Sequence, residues 1–171
     1  RSSAASDVYK RQDVMLMPVT GNLKLSPGSK SKPDEGYRSR FSHDEESASP
    51  GYYKVRLKDY DIMAELTVSP RCGFHRYTFP ESKSSHIILD LSHHFATDSV
   101  LFTSINKIDS CTIIGERKTK GWGEPGEKYW SEQQLFFALK VSKVFDLSIA
   151  ADDQFIQEKQ ASGKNIKAIL N

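Results

Sequence analysis

The chain has 171 residues, 37% of them hydrophobic and 27% charged, which reads as soluble and globular and is long enough for one domain with its own core. A formal net charge of +2, without a basic stripe interleaved with aromatics, excludes a nucleic-acid footprint. No apolar run approaches the roughly 20 residues that a membrane span requires.

Residues 1–12 carry no periodicity and no helix cap. The run Ser6-Asp7-Val8-Tyr9-Lys10-Arg11-Gln12 resembles a translated sequencing adaptor, so residues 1–12 are read as a non-native or disordered leader and 13–171 as the domain. The apolar run Val14 to Val19, closed by Thr20-Gly21-Asn22, predicts a buried strand ending at a turn. From Ser26 to Arg40, Ser, Lys, Pro and Gly predict a surface loop.

The polar turn Ser42-His43-Asp44-Glu45-Glu46 offers metal-ligand chemistry, but consecutive residues cannot readily converge on one ion. Ser42 followed by Glu45 has the spacing of a capping box, so a capped single helical turn is expected. Next come three alternating segments: Tyr53, Val55 and Leu57; Ile62, Ala64, Leu66 and Val68; His75, Tyr77 and Phe79. A period of two separated by Lys58-Asp59-Tyr60-Asp61 and Ser69-Pro70-Arg71-Cys72-Gly73 predicts a three-stranded meander. Pro50-Gly51 is expected to stop whatever precedes it.

His86 to Leu91 is nearly all apolar and predicts a strand covered on both faces. His93 and His94 follow it; neighbours on a strand point to opposite faces, so one shared ion is not expected. Val100–Asn106 and Ser110–Thr119 predict a hairpin, and Leu135–Val141 another strand. Between them, Lys120 to Gly126 is a Gly-rich loop without a phosphate-binding pattern; its Trp122 is either a sugar-stacking platform or a plug for the end of the fold. Ile166–Leu170 starts an alternating strand with which the sequence stops, read as truncation. Cys72 and Cys111 lack CxxC spacing; one disulfide is open, and two buried thiols are the simpler expectation. Eight to eleven short strands and almost no helical periodicity predict an all-β protein, an antiparallel β-sandwich truncated at both ends.

The order and spacing of Arg40 to Glu46, Ser49 to Tyr53, Ala64 to Thr67 and Gly73 to Pro80 resemble the N-terminal domain of glycoside hydrolase family 92, the calcium-dependent exo-acting α-mannosidases. Asp13, Leu16, Met17 and Pro18 match a further family segment, as does Gly115 to Trp122, whereas Val141 and Val144 depart from the family's Phe-Ser-Lys-Pro-Phe. The resemblance implies a supersandwich-like β-domain packed on a C-terminal catalytic (α/α) barrel, with the active site at their junction and a calcium ion contacting the terminal mannose. It implies inverting hydrolysis, mostly of α-1,2 linkages in mannose-rich glycans, by a general acid and a general base about 6.5 to 9.5 Å apart. It places the parent in the periplasm or outside the cell.

In the family the carboxylates and calcium ligands belong to the barrel, so no catalytic or metal residue is assigned here. Asp44, Glu45, Glu46, Asp59 and Asp61 are expected to be surface turn residues, while His43 and Trp122 are the side chains expected nearest to substrate. The implied partners are the catalytic domain and mannose-containing glycans, with no nucleic acid and no membrane. Two other readings stay open. A stand-alone carbohydrate-binding sandwich would use exposed aromatics, with Tyr37, Tyr52, Trp122, Tyr129 and Trp130 as candidates, and a structural domain would leave an apolar patch uncovered.

Overall fold

The computed structural model describes residues 13–29, 31–94, 99–121 and 131–171. The expected leader, residues 1–12, lies outside them, as do residues 122–126 of the expected Gly-rich loop, whose first two residues, Lys120 and Gly121, instead end a strand. Among the described residues, regular structure consists of thirteen strands and two single turns of 3-10 helix, Pro33–Glu35 and His43–Glu45. Three antiparallel sheets make up the β-sandwich fold that the sequence predicts, with more strands than the eight to eleven expected.

The chain divides into two compact units, Met17–Ile87 and the remainder of the described residues. In Met17–Ile87, β2 (Glu46–Ser49), β3 (Tyr52–Leu57), β4 (Ile62–Val68) and β5 (Gly73–Thr78) form a meander in sequence order. The register pairs Val55 with Ala64 and Leu57 with Ile62, which puts Val55, Ile62 and Ala64 on one face, where all three are buried. That is the face the alternation predicted. Pro50-Gly51 does more than stop the chain. It closes the β2–β3 hairpin, with Gly51 at φ 78°, the positive value that the second central residue of a Pro-Gly turn requires.

In the other unit, β7 (Ser99–Lys107), β8 (Thr112–Gly121), β9 (Ser131–Lys140) and β12 (Gln160–Gly163) form a sheet of order β12-β7-β8-β9. A five-stranded sheet has the order β1-β6-β13-β10-β11, with β10 at Leu147–Ala151, β11 at Gln154–Ile156 and β13 at Ile166–Leu170 in this unit, while the division at 16/17 and 87/88 falls within β1 (Met15–Thr20) and β6 (Ser85–Asp90). β10 and β13 pack on β12 and β7, and Ile105, Ile113, Ile149, Ile166 and Ile169 are excluded from solvent. Each such side chain contributes about 1.5–3 kcal/mol by leaving water.

Several expectations are corrected. β13 is a central strand with all five residues buried, not an alternating one. Lys167 tolerates this because its ammonium donates to Asp153 Oδ1 at 2.6 Å and Asn165 Oδ1 at 2.7 Å. The turn at His43–Glu45 forms, but the Ser42 side chain makes no capping bond; its carbonyl accepts Glu45 N–H at 3.0 Å instead. Cys72 is exposed and Cys111 half-buried, both free, so neither is a buried thiol. His93 and His94 lie beyond the end of β6 and not on a strand.

Candidate functional site

Of the two side chains expected nearest to substrate, Trp122 lies outside the described residues, as do Tyr129 and Trp130. His43 stands on the single turn before β2, its side chain 87% exposed. The turn is held against the β3–β4 link, and the ties are polar. Arg40 donates from its backbone N–H and from Nε to the two oxygens of Asp59, both at 2.7 Å. Asp59 N–H in turn donates to Ser39 Oγ at 3.1 Å, and Lys58 N–H to the Arg40 carbonyl at 2.9 Å. Burial pushes the Asp59 carboxyl up, but the Arg40 hydrogen bonds and charge outweigh it and leave the group below its ordinary value.

His43 Nδ1 lies 3.0 Å from Glu46 Oε2, and its ring meets the ring of Phe41 edge to face, with centroids 5.6 Å apart. Phe41 is itself 51% exposed. With Nδ1 turned to the Glu46 carboxylate, the neutral ring leaves Nε2 as an acceptor beside an open aromatic face, the pairing a sugar's hydroxyls and C–H bonds both meet. Asp44, Glu45, Glu46, Asp59 and Asp61 lie on this turn, at the start of β2 and in the β3–β4 link. Glu45 has Lys58 at 3.8 Å, and Asp61 is paired with Arg56. Among the described residues no group of three or more His, Cys, Asp or Glu is placed to hold a metal ion.

Two polar assemblies escaped the sequence reading. On the outward face of the meander, Arg76 donates from Nε to Glu65 Oε2 at 2.7 Å and from Nη2 to Glu65 Oε1 at 2.6 Å, while Tyr52 Oη donates to Glu65 Oε1 at 2.6 Å. Those bonds, from Arg76 first and then Tyr52, hold the Glu65 carboxyl at about 2. The only sequence signal was cross-strand register, which brings Glu65 opposite Arg76. In the other unit, the buried Arg117 donates from Nε to the Leu91 carbonyl at 3.0 Å, and also to Asp13 Oδ1 and the His93 carbonyl. Asp90 Oδ1 accepts from Ser92 N–H at 2.7 Å and His93 N–H at 3.2 Å, which turns the chain out of β6. Tyr37, one of the aromatics offered for a binding row, is 3% exposed, whereas Tyr52 is 37% exposed.

A family profile described as the glycosyl hydrolase family 92 N-terminal domain matches residues 4–171. No curated protein matches the chain. Among solved structures, the chain is similar to the family GH92 α-mannosidase BT3965 from Bacteroides thetaiotaomicron, at 36% identity over 92% of this chain and 22% of that one, with a TM-score of 0.84. The same enzyme in complex with mannoimidazole gives 36% identity over 92% and 21%, with a TM-score of 0.83. The gh92 family glycosyl hydrolase ccman5 shares the fold at a TM-score of 0.72, with 24% identity over 92% and 21%. The chain thus spans little more than a fifth of these structures.

Proposed function

Because the chain belongs to glycoside hydrolase family 92, as the N-terminal domain whose profile spans residues 4–171, we propose that it is the non-catalytic sandwich of an inverting, exo-acting α-mannosidase. The likeness to an α-mannosidase at 36% identity over 92% of the chain carries the substrate class. The parent removes terminal mannose from mannose-rich glycans, mostly at α-1,2 linkages, and works outside the cytoplasm.

The acid chemistry supports a non-catalytic assignment. A glycosidase general acid needs a carboxyl pushed up toward neutrality by burial or by a like charge. Asp59, Glu65, Asp109 and Glu132 instead lie below their ordinary values. A group held ionised by a neighbouring cation, as Asp59, Glu65 and Glu132 are, or by donated hydrogen bonds, as Asp109 is, makes a poor proton donor at neutral pH. Calcium would take carboxylate and carbonyl oxygens; in the family resemblance those ligands belong to the catalytic barrel, and the same assignment is proposed for the parent of this chain. This chain's part is support, with His43 and Trp122 toward the sugar.

The purified chain is expected to release no mannose from an α-1,2-linked mannobiose with calcium present. The parent enzyme is expected to release it and to lose that activity on chelation. Release by the chain alone overturns the non-catalytic assignment, and a parent indifferent to chelation overturns the calcium requirement.

A further inference from the structure

We propose that the outward face of the sheet β2-β3-β4-β5 is a binding platform for a mannose-rich oligosaccharide. The class of sugar rests on the function proposed above, and the platform itself rests on geometry. Tyr52 pairs with Thr67 and Thr67 with Phe74, so the three form one cross-strand row on one face of the sheet. Tyr52 and Phe74 are therefore two strand spacings apart, about 9.6 Å, the reach of a short oligosaccharide laid across the strands. Phe74 is 57% exposed and Tyr52 37%, in a row whose third member is a small hydroxyl residue.

Tyr52 is also held in place. A strand side chain ordinarily stands off the sheet, but its hydroxyl reaches diagonally to Glu65, so the ring must lean along the sheet toward the next row. An aromatic ring pinned in this way presents its π-face to the polarised C–H bonds of a pyranose without losing rotamer freedom on binding. The next row on the same face is Lys54, Glu65 and Arg76, two residues along the strands, about 6.6 Å away. Arg76 uses Nε and Nη2 on Glu65, and with a side chain 75% exposed it keeps further N–H groups toward solvent for sugar hydroxyls.

A row of stacking rings beside a row of fixed charges suits a ligand that is apolar on its ring faces and hydroxylated at its edges. A protein partner would have to desolvate Lys54, Glu65 and Arg76 together to reach the two rings, which costs more than two aromatic contacts return.

The test is affinity electrophoresis of the purified chain through gels containing soluble α-mannan, with a β-glucan gel as the control. Retardation is expected in mannan only. Tyr52→Ala and Phe74→Ala are each expected to weaken retention roughly tenfold, and Tyr52→Phe, which keeps the ring but frees it from Glu65, by less. Each variant's circular dichroism melt shows whether it is folded. Absent retardation, equal retardation in β-glucan, or retention unchanged in the folded variants each overturns the platform. So does a parent enzyme that lacks the Tyr52-dependent retention its isolated chain shows, because its remaining domains then cover the face. Mannose release by the parent is read separately, so a failed platform and a failed mannosidase assignment give different results.

Discussion

Glu65 shows how much one half-buried strand residue can organise. Three charge-assisted hydrogen bonds from Arg76 and Tyr52 hold its carboxyl at about 2, against an ordinary 4.5. A folded-state value below the unfolded one stabilises the fold above pH 4.5, and the contribution fades as pH falls through about 2. Wild type is therefore expected to melt higher than Glu65→Gln at neutral pH, with the gap closing as melts are repeated from pH 5 down to 2. A gap constant across that range would mean that the charge on Glu65 contributes nothing. Because Tyr52 leans on the same carboxylate, Glu65→Gln also loosens the ring proposed to stack on sugar.

At the scale of elements, the pairing of β8 with β9 depends on a contact that only a glycine permits. Gly115 lies opposite Phe137, and a Cβ built on it would come within 2.5 Å of both the Phe137 ring and the Ser104 carbonyl oxygen. The aromatic ring of one strand fills the space left by the glycine of the next. Gly115→Ala is expected to cost about 1–3 kcal/mol through overpacking, read as a lower urea midpoint with an unchanged slope. A midpoint equal to wild type would show that Phe137 swings clear. The β10–β11 hairpin is closed in a different way, by Asp152 and Asp153 at φ 50° and 61°. Both central residues are left-handed, which a two-residue type I′ turn requires and which aspartate tolerates better than most residues.

At the scale of the molecule, Arg117 ties together segments far apart in sequence. Its guanidinium, 4% exposed, serves Asp13 before β1 and the carbonyls of Leu91 and His93 after β6. Removing it leaves Asp13 and two carbonyls without that donor, and Arg117→Ala is expected to destabilise the fold by about 3–5 kcal/mol. Chemical denaturation measures it, and a loss under 1 kcal/mol would show that water replaces the guanidinium. An Arg on a strand among Lys118, Lys120 and Thr119 gave no sign in the sequence that it would be buried while its lysine neighbours stayed at least partly open.

Alternation alone determined the meander. Val55 follows the every-second-residue pattern of β3, Ile62 and Ala64 that of β4, and only one register buries them together. The motif residues from Arg40 to Pro80 determined the family, because their order and spacing survive in the sequence whatever the fold does around them. Tertiary structure decided the rest, for reasons of reach and length. β11 and β12 have three and four residues, too few to show a period, and they exist because β10 and β7 offer them edges to pair with. β13 reads as alternating because Lys167 interrupts its apolar residues, yet it is buried on both faces because Asp153 and Asn165 satisfy that lysine across a turn. Ser42 has the spacing of a cap, but the sequence could not show that its carbonyl would take the bond. Likewise, no local pattern brings Tyr52, Glu65 and Arg76 together; they sit on three strands, and only pairing in register makes them one surface.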